Sequence, residues 1–278
     1  MSFVQLLQKV GTMDRRWIFL AIFVATVIPF FFPLGLEVKL TDEVKNIYDF
    51  IEQMDEHSQP ILLSFDYAPD VAAECHPMAL ALLRHLFSRD IKVVAVALHQ
   101  AAPALALDAF TTVAKEYNKK YGEDYAFMGF GAGFAYMMAK MGESFPDSFP
   151  ADYYGTPIGE IPLARKIQNY SSVAMVITLS GSRSYEYYIT FAQAKSGVKV
   201  AAGMTAVMAS DAYPFLQSGQ LVGLMGGLKA AAEYEQLVGH RDRAFIGMDA
   251  QSITHILIVF FIILGNVSYF LTKRMEKR

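Results

Sequence analysis

Two serines and a histidine are the residues here whose types could do covalent chemistry. Ser180 and Ser182 lie in "TLSGSRS", where an apolar run ends, and His99 ends another such run. A hydroxyl beside an imidazole base is an activated nucleophile, so a serine-type hydrolase is one function to test. The nucleophile elbow G-x-S-x-G is missing. Among six histidines, His99 is the best-placed general base; its competing role is that of a histidine bonded within the fold. No residue is assigned a catalytic role.

A second group, Asp66, Asp70, Glu74 and His76, is rich in the oxygen ligands that hard cations take. Its spacing matches no calcium loop. Caps and first-turn residues, favourable against a helix dipole, are the expected role, and no metal is assigned. Cys75 is the one cysteine, which excludes a disulfide framework and a cysteine-based zinc site. It is expected to be a small buried residue, and a single thiol suits an oxidising compartment.

Two glycine-rich stretches invite phosphate chemistry. "GFGAGF", 129–134, needs a glycine where Phe134 stands to complete a dinucleotide fingerprint. A tight turn into a helix is the expectation, with no cofactor. "SGQLVGLMGGLKAAAEYEQLVG", 218–239, fails the Walker pattern because Ala230 follows Lys229. Lys229, Glu233 and Glu235 also interrupt any plain membrane span. The spacing predicts one helix over 218–239, with Gly219, Gly223, Gly226 and Gly227 on a close-packing stripe. Each helical glycine costs roughly 1 kcal/mol against alanine, so the stripe must face the domain's own sheet or a second copy of the chain.

The elements that position these residues alternate. Strand-like apolar runs occur at 60–67, 91–100, 124–133, 171–182 and 198–204. Helical patterns occur at 76–90, 103–122 and 184–197, with another over 42–54 capped by Thr41. Nearly continuous apolar strands alternating with helices predict an α/β domain with a mainly parallel sheet. The fold class is a Rossmann-like or flavodoxin-like three-layer domain of about five strands. Ligands in such sheets bind at the strand C-terminal ends. A small-ligand site there would draw on Asp66, His99, Gly129, Gly131, Gly133, Ser180 and Ser182. One segment, 143–162, carries four prolines and four aromatics, and reads as a lid, a partner surface or a packed excursion.

The ends are apolar. Residues 17–33 and 253–271 carry no formal charge, and roughly 17–25 apolar residues span a bilayer. Lys9, Arg15 and Arg16 precede the first run; Lys273, Arg274, Lys277 and Arg278 follow the second. Basic flanks mark the cytoplasmic side. The predicted organisation is a cytoplasmic segment 1–16, an uncleaved transmembrane helix 17–33, an extracytoplasmic domain 34–252, a second transmembrane helix 253–271 and a cytoplasmic tail 272–278. Between the spans, 17 basic and 25 acidic residues give a net charge of −8, which disfavours nucleic acid. "GHRDRAFIGMD", 239–249, is expected to be a solvated linker. With 13% aromatic residues and no complete catalytic motif, the expected function is a membrane-anchored interaction or scaffold protein. Its partners would be the bilayer and either further copies or other membrane proteins. A small-ligand sensor is the first alternative and the hydrolase the second.

Overall fold

The computed structural model describes residues 14–276. Lys9, Lys277 and Arg278, part of the charge pattern above, lie outside them. In chain order the elements are α1 (Arg15–Phe31), α2 (Asp42–Glu52), β1 (Ile61–Asp66), α3 (Ala72–Ser88), β2 (Val93–Ala97), α4 (Ala102–Glu116), β3 (Tyr125–Phe130), α5 (Phe134–Glu143), the single turn α6 (Phe145–Ser148), β4 (Met175–Ser180), α7 (Ser184–Tyr188), β5 (Lys199–Met204), α8 (Ala206–Gln217), β6 (Gly223–Gly226), α9 (Gly227–Val238) and α10 (Arg243–Glu276). A π-helical stretch, Ile189–Gln193, continues α7. Two compact units result: residues 38–244, and the two chain ends.

In the first unit the strands form one parallel sheet in the order β3-β2-β1-β4-β5-β6. Every residue of β1, β2 and β4 is buried, as strands covered on both faces must be. On one face Leu62, Val94, Val176 and Val200 share a core with Met138 of α5, Tyr185 of α7 and Ala209 of α8. On the other, Phe110 of α4 packs against Phe65 and Tyr125, and Phe87 of α3 against Tyr125. Helix α3 is buried continuously from Cys75 to Phe87, the condition of a helix enclosed on all sides. Both sheet edges are covered. Tyr153 donates its N–H to the Phe127 carbonyl at 3.0 Å along β3, and the α2 backbone lies against Gly223 of β6. Covering removes the open ladder through which edge strands aggregate.

Three expectations change. The sheet has six strands, not about five, because Gly223–Gly226 is a strand. The helix expected over 218–239 is instead a turn, β6 and α9. Gly219 and Gly227 adopt φ of +74° and +71°, left-handed values that a helix interior excludes. The expected linker 239–249 is mostly helix, because α10 starts at Arg243. The buried Glu235 carboxylate organises that start by accepting the N–H groups of Asp242 (2.9 Å) and Ala244 (3.0 Å).

In the second unit α1 and α10 meet through Thr26 and Thr254, whose Oγ1 atoms are 2.9 Å apart. The buried Asp249 carboxylate accepts N–H groups from Leu34 (2.8 Å), Gly35 (3.0 Å) and Leu36 (3.3 Å). Among the described residues one helix, 243–274, is long and apolar enough to cross a membrane; two were expected. Helix α1 has 17 residues, the short limit for a span, and ends two residues before Pro33. Large apolar side chains are exposed on both helices, among them Trp17, Phe19 and Phe23 on α1 and Ile256, Ile262 and Phe270 on α10.

Candidate functional site

Between β1 and β4 the strand order reverses, and in open α/β sheets the ligand crevice lies outside the strand C-termini at this switch point. The register sets Asp66 beside Ser180 there. Asp66 is buried, and among the described residues no cation lies within ion-pair distance of it. Its Oδ1 accepts from Ser64 Oγ (2.8 Å) and the Leu98 N–H (3.2 Å), and its Oδ2 from Thr178 Oγ1 (2.8 Å). Tyr188 donates to Ser64 Oγ at 2.7 Å, and Ser184 Oγ lies 2.6 Å from Thr178 Oγ1. Burial pushes the carboxyl up to about 6, although all three hydrogen bonds favour its charged form.

The crevice is closed over this network. A Cβ on Gly181 would lie 3.0 Å from a Val71 methyl, so the β1–α3 loop fills the space above β4. The described cavities have other walls, with Lys92 and Leu163 in one and Thr41 and Lys229 in another. Ser180 Oγ donates to the Asp66 carbonyl at 3.2 Å and pairs with Ser182 Oγ at 2.9 Å. His99 is half-buried; its Nδ1 accepts the Ala101 N–H at 3.2 Å, at the start of α4. Among the described residues no hydrogen bond joins His99 to either serine.

The expected ligand glycines are also occupied by protein. A Cβ on Gly131 would meet Met137 Cε at 2.8 Å and Phe149 Cζ at 3.0 Å. Gly129 abuts Tyr153, and Gly133 is the N-cap of α5. In the other glycine set, Gly219 is in open space. A Cβ on Gly223 would lie 2.5 Å from the Glu43 carbonyl oxygen, one on Gly226 2.7 Å from Ala209 Cβ, and one on Gly227 2.7 Å from Ala206 Cβ. These contacts are with the chain's own α2 and α8.

The acid-rich group diverges. Glu74 Oε2 accepts the Ala206 N–H at 2.9 Å, and His76 is drawn into α3. There it belongs to an arrangement the sequence pattern did not suggest. Tyr67 Oη lies 2.9 Å from His76 Nδ1, and His76 Nε2 lies 3.0 Å from Asp108. His85, nine residues on, repeats it with Tyr234 Oη at 2.8 Å and Glu52 at 2.9 Å. Nine residues are two and a half helical turns, so the two imidazoles leave α3 on opposite sides. Burial lowers the pKa of both, against the hydrogen bond each makes with its carboxylate. Each neutral ring therefore accepts from a tyrosine and donates to an acid.

Apolar side chains stay open at the strand C-terminal end, beside exposed polar ones such as Gln100, Ser182 and Arg183. Phe130 ends β3, and Tyr136, Tyr187 and Val207 lie in the first turns of α5, α7 and α8; they are 45%, 65%, 40% and 83% exposed. Phe134 stacks edge-on against Tyr187 at 5.6 Å. Comparison with family models, curated proteins and solved structures gives no match. The class that can be stated is a doubly wound parallel α/β protein with, among the described residues, one helix long and apolar enough to span a membrane.

Proposed function

We propose that this chain is a membrane-anchored interaction subunit. Its α/β unit would lie outside the cytoplasm, held by α1 and α10 as two spans with both ends inside. It would present the aromatic rim at the strand C-termini to a further copy or to another membrane protein. The rim is the observation that carries this reading. Aromatic residues are enriched where proteins bind one another, while Asp66, Thr178 and Ser180 behind the rim are buried and bonded to the chain itself. A short α1 is compatible with a span, because bilayers thin locally around short helices. Photo-crosslinking residues placed at Tyr136 and Val207 in membranes should give discrete adducts, and the same residue at Tyr117, the C-cap of α4, should give none. Monomer alone from the rim positions would overturn the reading.

A second reading keeps the switch point as a small-ligand site. Its support is the buried Asp66, which spends stability without a cation in contact. Opening would require Val71 to move off Gly181. Enlarging the crevice by Val71→Ala should then strengthen ligand binding while leaving the rim adducts unchanged.

A further inference from the structure

The largest described cavity, about 690 Å³, is at the other end of the sheet. Its walls come from the segment before β1, from Lys92 before β2, from Glu123 before β3 and from residues 162–172 of the long connection to β4. That volume is in the range of small-molecule sites, roughly 300–1,000 Å³.

Hydrogen bonds hold the irregular wall away from the sheet at both ends. Leu163 donates its N–H to the Gly122 carbonyl at 3.0 Å, and Ala174 to that of Pro60 at 3.0 Å. Gln59 Nε2 reaches the Ser171 carbonyl at 3.1 Å. The groove is thus formed before anything enters, which lowers the entropic cost of binding.

Its charges are unevenly committed. Glu56 is 3.6 Å from His57, and Glu123 is 3.7 Å from Lys120. Lys92 and Lys166 line the same groove, and among the described residues neither has a carboxylate within ion-pair distance. Pro60, Pro162 and Leu163 line the same groove. Two ammonium groups without a paired carboxylate, in a groove also lined by prolines and Leu163, suit a molecule with an acidic group on an apolar body. An anion gains charge-assisted hydrogen bonds from Lys92 and Lys166, while the Glu56 and Glu123 carboxylates of the same groove lie toward His57 and Lys120.

We propose that this groove is a binding site for a small organic anion, a carboxylate or a phosphate monoester carrying an apolar group. It is independent of the aromatic rim.

The test uses the intact protein in mild detergent, with phenyl phosphate and phenylacetate as probes and benzyl alcohol as the uncharged control. Saturation-transfer NMR should detect at least one anion and not the alcohol. The stronger anion tells whether phosphate or carboxylate is preferred. The Lys92→Gln/Lys166→Gln variant should bind it about tenfold more weakly or worse, while a Lys140→Gln variant, altered outside the groove, should bind normally. Unchanged circular dichroism and melting of the double variant would show that it folds. If the folded double variant binds as the parent does, or if neither anion binds in preference to the alcohol, the proposal is overturned.

Discussion

Asp66 is the residue whose chemistry is most at odds with its surroundings. A carboxyl raised from its ordinary 3.8 to about 6 weighs about 3 kcal/mol against the folded state at neutral pH. The folded form holds this proton more tightly than the unfolded form. The contribution therefore favours folding below pH 3.8 and is lost as pH rises through about 6. An Asp66→Asn variant should be more stable than the parent at pH 7.5, by up to about 3 kcal/mol, and similar to it near pH 4. Urea unfolding at the two pH values measures this; equal destabilisation at both would refute it. Asp66→Ala should be worse at every pH, because it leaves Ser64, Thr178 and the Leu98 N–H without their acceptor. His76 and His85 act in the opposite direction. Their folded pKa values are lowered by burial, so the unfolded chain takes up protons first and stability falls as pH drops below about 6.5. Replacing both by Gln should remove this fall at low pH and leave stability decreasing with rising pH through the Asp66 titration; an unchanged slope between about pH 5 and 6.5 would show that the relays do not set it.

At the scale of elements, the alternation of apolar runs and helical patterns made the parallel α/β sheet legible. Nearly continuous apolar strands such as "ILLSFD" leave few other arrangements, and the β1–β4 register sets Asp66 beside Ser180. Strand order was not legible, because neighbours are chosen by tertiary packing. Nor was β6, whose four residues, Gly223–Gly226, include two glycines and merge with the helical spacing of α9. What separates them is backbone geometry at Gly227 and the approach of α2, neither of which has a periodic signature. The two Tyr–His–acid relays were hidden for a related reason. Tyr67 and His76 are nine residues apart, but the other pairs are separated by 32 to 149 residues. The glycines give a ranking that tests this account. Gly219→Ala meets open space and pays only for left-handed backbone, about 1 kcal/mol. Gly223→Ala drives a methyl to 2.5 Å from the Glu43 carbonyl oxygen and should cost about 1–3 kcal/mol through displacement of α2. Thermal unfolding should order them so; a reversed order would mean that α2 does not pack on β6.

For the whole molecule, the proposed anchoring turns on which side of a membrane the α/β unit would lie. The chain supplies its own labelling background. Cys75 is the single cysteine; it is fully buried, and burial pushes its thiol up to about 12, with Glu74 and Asp70 adding to the effect. Only the thiolate reacts readily with maleimides, so the native protein should stay unlabelled. Glu160 and Arg274 are both exposed, one in the α/β unit and one near the end of α10. If positive charge keeps the ends of the chain inside, a small membrane-impermeant maleimide should label Glu160→Cys on spheroplasts. Arg274→Cys should react only after the membrane is opened. The same assay tests α1. An α/β unit outside and a described N-terminal end inside require α1 to cross, so Asp14→Cys should behave like Arg274→Cys. Labelling of Asp14→Cys together with Glu160→Cys before permeabilisation would leave α10 as the sole span and α1 lying along the surface. Labelling of Arg274→Cys alone would place the α/β unit in the cytoplasm and invert the reading of the basic flanks.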